Sequence, residues 1–172
     1  VMLFEGGASR VLIASRSCRV ARDGQGLDAQ LRALSAAATV VAVDSGDACN
    51  TFSLFGLASV DGVVQAAGGG EGTCYLIEMT AQSAKFALDI KAQGAWHVHS
   101  ATAGTPLQTS VMFSSLAALG SRRLAAYSTS NASLASHALT RRTCGVQSTC
   151  LVFPHITEAG VGAVLDAIAA KR

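Results

Sequence analysis

Apolar and polar positions along this chain repeat with two different periods, and the switches between them divide it into elements. Arg10–Ser15 (RVLIAS) is a short apolar run bounded by Gly7 and the polar Ser15-Arg16-Ser17, which predicts a strand. Gly26–Ala37 carries Leu27, Leu31 and Leu34 at spacings of four and three, the pattern of an amphipathic helix. Thr39–Asp44 (TVVAVD) is β-branched, free of internal polar residues, and ends in an acid. Val60–Ala67 is the next predicted strand and runs into Gly68-Gly69-Gly70. A long helix over Ser83–Thr102 and a buried strand over Thr109–Ser114 follow. Leu124–Thr140 then reads as a helix, Ser148–Phe153 as a strand, and Gly160–Lys171 as a last amphipathic helix.

Strands alternating with helices of this length predict βαβ units and an α/β fold: a doubly wound parallel sheet with helices on both faces. No internal repeat, low-complexity tract or linker interrupts residues 1–172, so a single domain is expected. Ligands of such sheets bind at the carboxyl ends of the strands. That rule selects Ser15-Arg16, Asp44, Ala66–Gly68, Ser114-Ser115 and Phe153-Pro154 as one rim.

Composition narrows the classes. Half of the 172 residues are hydrophobic but only 5% aromatic, and 17 are glycine, which suits small-residue packing of helices on parallel strands. A formal charge of +2, with scattered basic residues and few aromatics, argues against a nucleic-acid partner. The five cysteines form an odd set without a C-x-x-C pair, which points to reduced thiols in an intracellular protein and to no metal site. His97 and His99 flank Val98 and would point apart on a helix. Without a membrane-spanning apolar run or a signal peptide, a cytoplasmic location is expected. The chain opens at Val1 in the manner of a helix interior and is expected to be a piece of a longer polypeptide.

Among chemistry-bearing residues, Ser115 closes a predicted strand, and Tyr127 and Asn131 lie twelve and sixteen residues beyond it. Tyr127 and Asn131 are four apart, hence on one helical face. This is the layout of a carbonyl-reducing site: a serine hydroxyl holds a carbonyl oxygen and a phenol gives it a proton. Lys91 would supply the cation that favours phenolate, and Asn131 would hold a water or the lysine in place. Spacing alone equally allows ordinary helix residues and a solvated lysine. Arg16, between Ser15 and Ser17, could clamp a phosphate or be a solvated loop arginine. Asp44 could accept a hydrogen bond from an adenine amine or cap the helix that follows. Gly68–Gly72 lacks the third glycine of G-x-G-x-x-G and reads as a loop for close backbone approach, not a pyrophosphate turn.

Six stretches carry a resemblance: VLIASRS ending at Ser17, VVAVDSGD (40–47), LASVDGVVQAAG (57–68), KAQGAWHVH (91–99), SVMFSSLAALG (110–120) and YSTSN (127–131). In order and spacing the chain resembles the ketoreductase domains of modular (type I) polyketide synthases, in the short-chain dehydrogenase/reductase superfamily. The resemblance implies a Rossmann-like sheet that lacks the first strand and its glycine-rich turn, since the match starts inside the helix that follows them. It implies a catalytic tetrad of Lys91, Ser115, Tyr127 and Asn131, with Y-x-x-x-N in place of the Y-x-x-x-K of ordinary short-chain dehydrogenases. It implies NADPH as cofactor, bound by Ser15, Arg16, Ser17, Asp44, Ser45, Ala66, Ala67, Gly68, Phe153 and Pro154, with Arg16 selecting the 2′-phosphate. The implied reaction reduces a β-keto acyl thioester, borne on the phosphopantetheine of an acyl carrier protein, to the β-hydroxy acyl thioester. Neighbouring synthase domains are the implied partners. The alternatives are a catalytically silent ketoreductase-like structural domain and a free-standing short-chain reductase.

Overall fold

A computed structural model describes residues 2–19, 26–34, 37–57, 59–68 and 75–154. The expected helix over Gly160–Lys171 lies outside the described residues. The described strands are β1 (Val11–Ser15), β2 (Ala38–Ala42), β3 (Gly62–Gln65), β4 (Thr109–Ser115) and β5 (Thr149–Phe153). The α-helices are α1 (Met2–Glu5), α2 (Leu27–Ala33), α3 (Ala48–Leu57), α4 (Ala81–Leu88), α5 (Gly94–Ala101) and α6 (Ala125–Thr143). Each predicted strand within the described residues is present, shifted by at most a few residues at its ends.

Two elements differ from the sequence pattern. The helix expected over Ser83–Thr102 is α4 and α5 joined by a π-helical turn, Asp89–Gln93. Helix α3 has no counterpart among the elements read from periodicity. Its inward face is carried by a hydroxyl residue: Thr51 is buried, and its Oγ1 donates to the Asp47 carbonyl at 3.0 Å. The start of α3 is fixed by Asp47, whose Oδ1 accepts from the Asn50 amide at 2.8 Å. Helix α4 begins at a reciprocal cap, in which Thr80 Oγ1 accepts from the Ser83 amide and Ser83 Oγ accepts from the Thr80 amide.

All strand pairs are parallel, and the ladder is in two pieces: β1 with β2, and β3-β4-β5 in that order. The core joins α5, β4 and α6 through Ala95, Met112, Leu134 and Ala138, with Cys150 of β5 against it. Alanines at the helix contacts let α5 and α6 lie close to the sheet. Leu134, 1% exposed, is the largest side chain sealed there and contributes about 2 kcal/mol by burial. Between β1 and β3 lies a cavity of about 960 Å³, bordered by every residue of both strands.

Candidate active site

The carboxyl end of β4 is the hub of the site. Along β4 the buried positions alternate (Ser110, Met112, Ser114), so Ser114 faces α6 and Ser115 faces the other way. Ser114 Oγ donates to the Asn131 carbonyl at 3.0 Å and ties α6 to the strand end. Ser115 Oγ accepts from the Ala117 amide at 3.2 Å, which caps the short 3₁₀ turn Leu116–Leu119 and leaves its own O–H available to donate.

On α6, Asn131 is fully buried and its Nδ2 donates to the Tyr127 carbonyl at 2.8 Å. Its Oδ1 is buried without a partner among the described residues. Lys91 sits in the π-helical turn, 7% exposed, and its Nζ donates to the Phe113 carbonyl at 3.0 Å. All four tetrad candidates therefore converge on Phe113–Ser115 or on the helix bonded to it. They meet through the main chain: the Asn131 amide goes to Tyr127, and Lys91 is held by Phe113, not by Asn131.

Burial pushes the Lys91 ammonium below its usual range, a shift partly offset by the charge of the nearby Cys150 thiolate. Burial raises the Cys150 thiol, against the Ser114 hydrogen bond and the Lys91 and Arg142 charges. An ammonium has three donors, and one is engaged by Phe113. Lys91 is thus held by Phe113 where β4 ends, and in its ammonium form it would have two further donors.

Of the ten residues expected to touch a cofactor, eight border the cavity between β1 and β3. Ser15, Arg16 and Ser17 leave β1, Asp44 and Ser45 follow β2, and Ala66, Ala67 and Gly68 follow β3. This is the crevice at the carboxyl ends of strands where α/β sheets bind ligands. Arg16 is exposed in a turn closed by the Cys18 amide on Ser15 Oγ at 3.1 Å. Asp44 does not cap α3, a role that falls to Asp47; its Oδ1 instead accepts from the Gly46 amide at 2.9 Å and shapes the loop. The Ser45 carbonyl meets His97 Nδ1 at 3.0 Å, which fixes the loop to α5. His97 and His99 do point apart, since His99 Nδ1 accepts from Arg141 at 2.6 Å.

The cavity and the tetrad touch at one place. A Cβ on Gly68 would lie 4.0 Å from Lys91 Cε, so the rim of the cavity runs directly onto the lysine stem. Phe153 and Pro154 are not on that cavity. Phe153 pairs with Ser115 across the ladder, and its ring meets Phe113 at 4.9 Å, which puts it beside the reacting end. The donor set fits a dinucleotide: an exposed guanidinium, hydroxyls and a carboxylate oxygen without a partner among the described residues line one crevice, whose rim at Gly68 meets the Lys91 stem.

Three contributors lie outside the residues expected to catalyse or to bind cofactor. Ser114 anchors α6, Cys150 sits in the field of Lys91, and Gln65 is buried with an unpartnered Nε2. Gly94 explains the last in part: a Cβ there would come within 3.1 Å of Gln65 Nε2 and of Ser45 Oγ. A hydroxyl at an inward position of an apolar strand, and an amide closing a valine run, were the available signals.

Comparison with known proteins gives a consistent pattern. The KR domain family model matches residues 1–158. The polyketide synthase GfsB of Streptomyces halstedii is 33% identical over 164 residues, which is 92% of this chain and 3% of that synthase. Among solved structures, A-type ketoreductases from a modular polyketide synthase align with a TM-score of 0.79 at 28% identity, over 88% of this chain and 33% of theirs. PlmKR1, the ketoreductase from the first module of phoslactomycin biosynthesis in Streptomyces sp. HK803, aligns at 0.78 and 28%, over 94% and 40%. A short-chain dehydrogenase/reductase of Brucella melitensis shares the fold, with a TM-score of 0.71 at 18% identity over 88% of this chain and 67% of that one. The chain thus spans a small part of the synthase and about a third of the first ketoreductase chains it matches.

Proposed function

Since the chain belongs to the KR domain family, the polyketide synthase ketoreductases within the Rossmann-like short-chain dehydrogenase/reductase superfamily, we propose that it reduces a β-keto acyl thioester to the β-hydroxy acyl thioester with NADPH. The family is one of oxidoreductases that use a nicotinamide cofactor. The observation that supports the finer reading is that Lys91 is bonded to Phe113 beside Ser115 at the end of β4, while α6, which carries Tyr127 and Asn131, is tied to the same strand end through Ser114.

Ser115 donates its O–H to the ketone oxygen and fixes the carbonyl at the strand end. Tyr127 gives its phenolic proton to that oxygen as negative charge develops there. Lys91, held by Phe113, stabilises the phenolate left behind and needs no reorganisation to do so. Asn131 positions the tyrosine by gripping its carbonyl from one helical turn away. Arg16 would hold the 2′-phosphate of NADPH, and Asp44 would accept from the adenine amine through its free oxygen. Bound NADPH supplies the hydride to the β-carbon. The thioester would be presented by an acyl carrier protein of the same synthase, in the cytoplasm beside neighbouring domains. None of the helices in the described residues is long and apolar enough to cross a membrane.

The test is the rate of NADPH consumption with a β-ketoacyl N-acetylcysteamine thioester. Tyr127→Phe should lower it by about 10²-fold or more while leaving the circular dichroism unchanged. Full activity in that variant would remove the tetrad assignment.

A further inference from the structure

We infer that His97 is a positioning residue for the cofactor. Through the Ser45 carbonyl it holds the Asp44–Asp47 loop against α5, in the shape that presents Asp44 and Ser45 to the adenosine end of NADPH. The inference rests on the cofactor reading above and adds to it a residue from outside the crevice lining.

The loop follows β2 and runs along the π-helical turn and the start of α5, where three close approaches seat it. At Gly46 a Cβ would lie 3.5 Å from the Asp89 carbonyl oxygen of the π-helical turn. At Gly94, the first residue of α5, a Cβ would come within 3.1 Å of Ser45 Oγ and 3.4 Å of Ser45 Cβ, so the loop lies where a side chain would be. Nearly one helical turn on, His97 Nδ1 meets the Ser45 carbonyl at 3.0 Å. Gly94, His97 and Val98 are three and four residues apart and share one face of α5, and Val98 borders the crevice. The face that grips the loop is therefore continuous with one wall of the cofactor site.

A carbonyl oxygen only accepts, so Nδ1 donates to it and the neutral ring carries its proton on Nδ1. Thr51 Oγ1 reaches the same oxygen at 3.4 Å but donates at 3.0 Å to the Asp47 carbonyl, which leaves His97 as the stronger donor. Within the loop the Gly46 amide bonds to Asp44 Oδ1 at 2.9 Å, and the Asp47 amide to the Asp44 carbonyl at 3.1 Å. Those bonds give the turn its shape; the contacts to the helix give it its place. A loop already held does not have to be ordered when NADPH binds, so the grip of His97 is read in affinity.

The experiment compares wild type with His97→Leu and His97→Asn in the full 172-residue chain. Asparagine keeps a donor near the place of Nδ1, and leucine removes it while filling similar space. NADPH binding, followed by its fluorescence, should weaken about tenfold in H97L and return to within about twofold of wild type in H97N. Without cofactor, amide exchange read by NMR should be about tenfold faster at Gly46 and Asp47 in H97L, while β4 amides keep their protection and report that the variant is folded. In wild type, the ring-nitrogen chemical shifts of neutral His97 should place the proton on Nδ1. Equal NADPH affinity in all three proteins, an H97N variant as weak as H97L, unchanged loop exchange, or a ring protonated on Nε2 would each overturn the proposal and leave the cofactor reading standing. Wild-type protein that binds no NADPH would overturn both.

Discussion

Lys91 concentrates the residue-scale physics of the site. It is buried, it has one hydrogen bond to a carbonyl, and its pKa is held down chiefly by desolvation. Wherever Lys91 is protonated, the folded protein therefore bears the cost of desolvating its ammonium. Lys91→Met removes the charge and keeps the stem, so thermal unfolding at pH 7 should occur at the same or a higher Tm while turnover collapses. The sign with pH follows from linkage: between the lowered folded value and the ordinary lysine value of 10.5 the unfolded chain binds more protons, so wild-type stability rises with pH in that window. The gap between wild type and K91M should narrow as pH approaches 10.5, and a gap that widens would refute the burial account. Ser115, Tyr127 and Asn131 were legible in the sequence because a strand end and an i,i+4 pair survive as patterns. Ser114 was legible as a rim residue but not as the anchor of α6, because a hydroxyl at an inward strand position looks the same whether or not a helix carbonyl lies opposite.

At the scale of elements, the π-helical turn between α4 and α5 shows where periodicity stops being informative. A straight helix over Ser83–Thr102 would carry one register throughout; the wider turn at Asp89–Gln93 resets it at the place where Lys91 must face β4. Helix α3 escaped the pattern for the opposite reason. Its apolar residues lie on several sides, with Phe52 and Leu57 exposed, and its buried contact is a threonine. The α5–α6 contact makes a separate prediction. His137 and His99 meet edge to face at 5.1 Å, with Arg141 bonded to His99 and no carboxylate in the group. Burial, then the charges of His99 and Arg141, lowers the His137 pKa from 6.5 to about 4. The unfolded chain thus takes up a proton first, and stability present above pH 6.5 is lost as pH falls toward 4, by something on the order of 1–3 kcal/mol. In urea unfolding, His137→Gln should lose distinctly less stability than wild type between pH 6.5 and 4. Equal losses in both would assign the acid sensitivity elsewhere.

For the whole molecule, alternation of strands and helices was enough to read the α/β class, the parallel pairing and the rim on which the site lies. Division of the ladder into two pieces was not visible in the pattern of this chain, because hydrophobic period reports which faces are buried and says nothing about which edges meet. The resemblance, by contrast, carried that expectation as an absent first strand; among the described residues β1 pairs only with β2 and β3 only with β4. The same arrangement puts eight expected cofactor contacts on one crevice and runs it onto Lys91 at Gly68. The central claim is hydride delivery from that crevice to a ketone held at Ser115 and Tyr127. It is tested most directly by incubating the chain with a β-ketoacyl thioester and NADPH deuterated at the transferable position, then analysing the product by mass spectrometry. The account predicts a β-hydroxy thioester with one deuterium on the β-carbon; unreduced ketone, or a reduced product without the label, would contradict it.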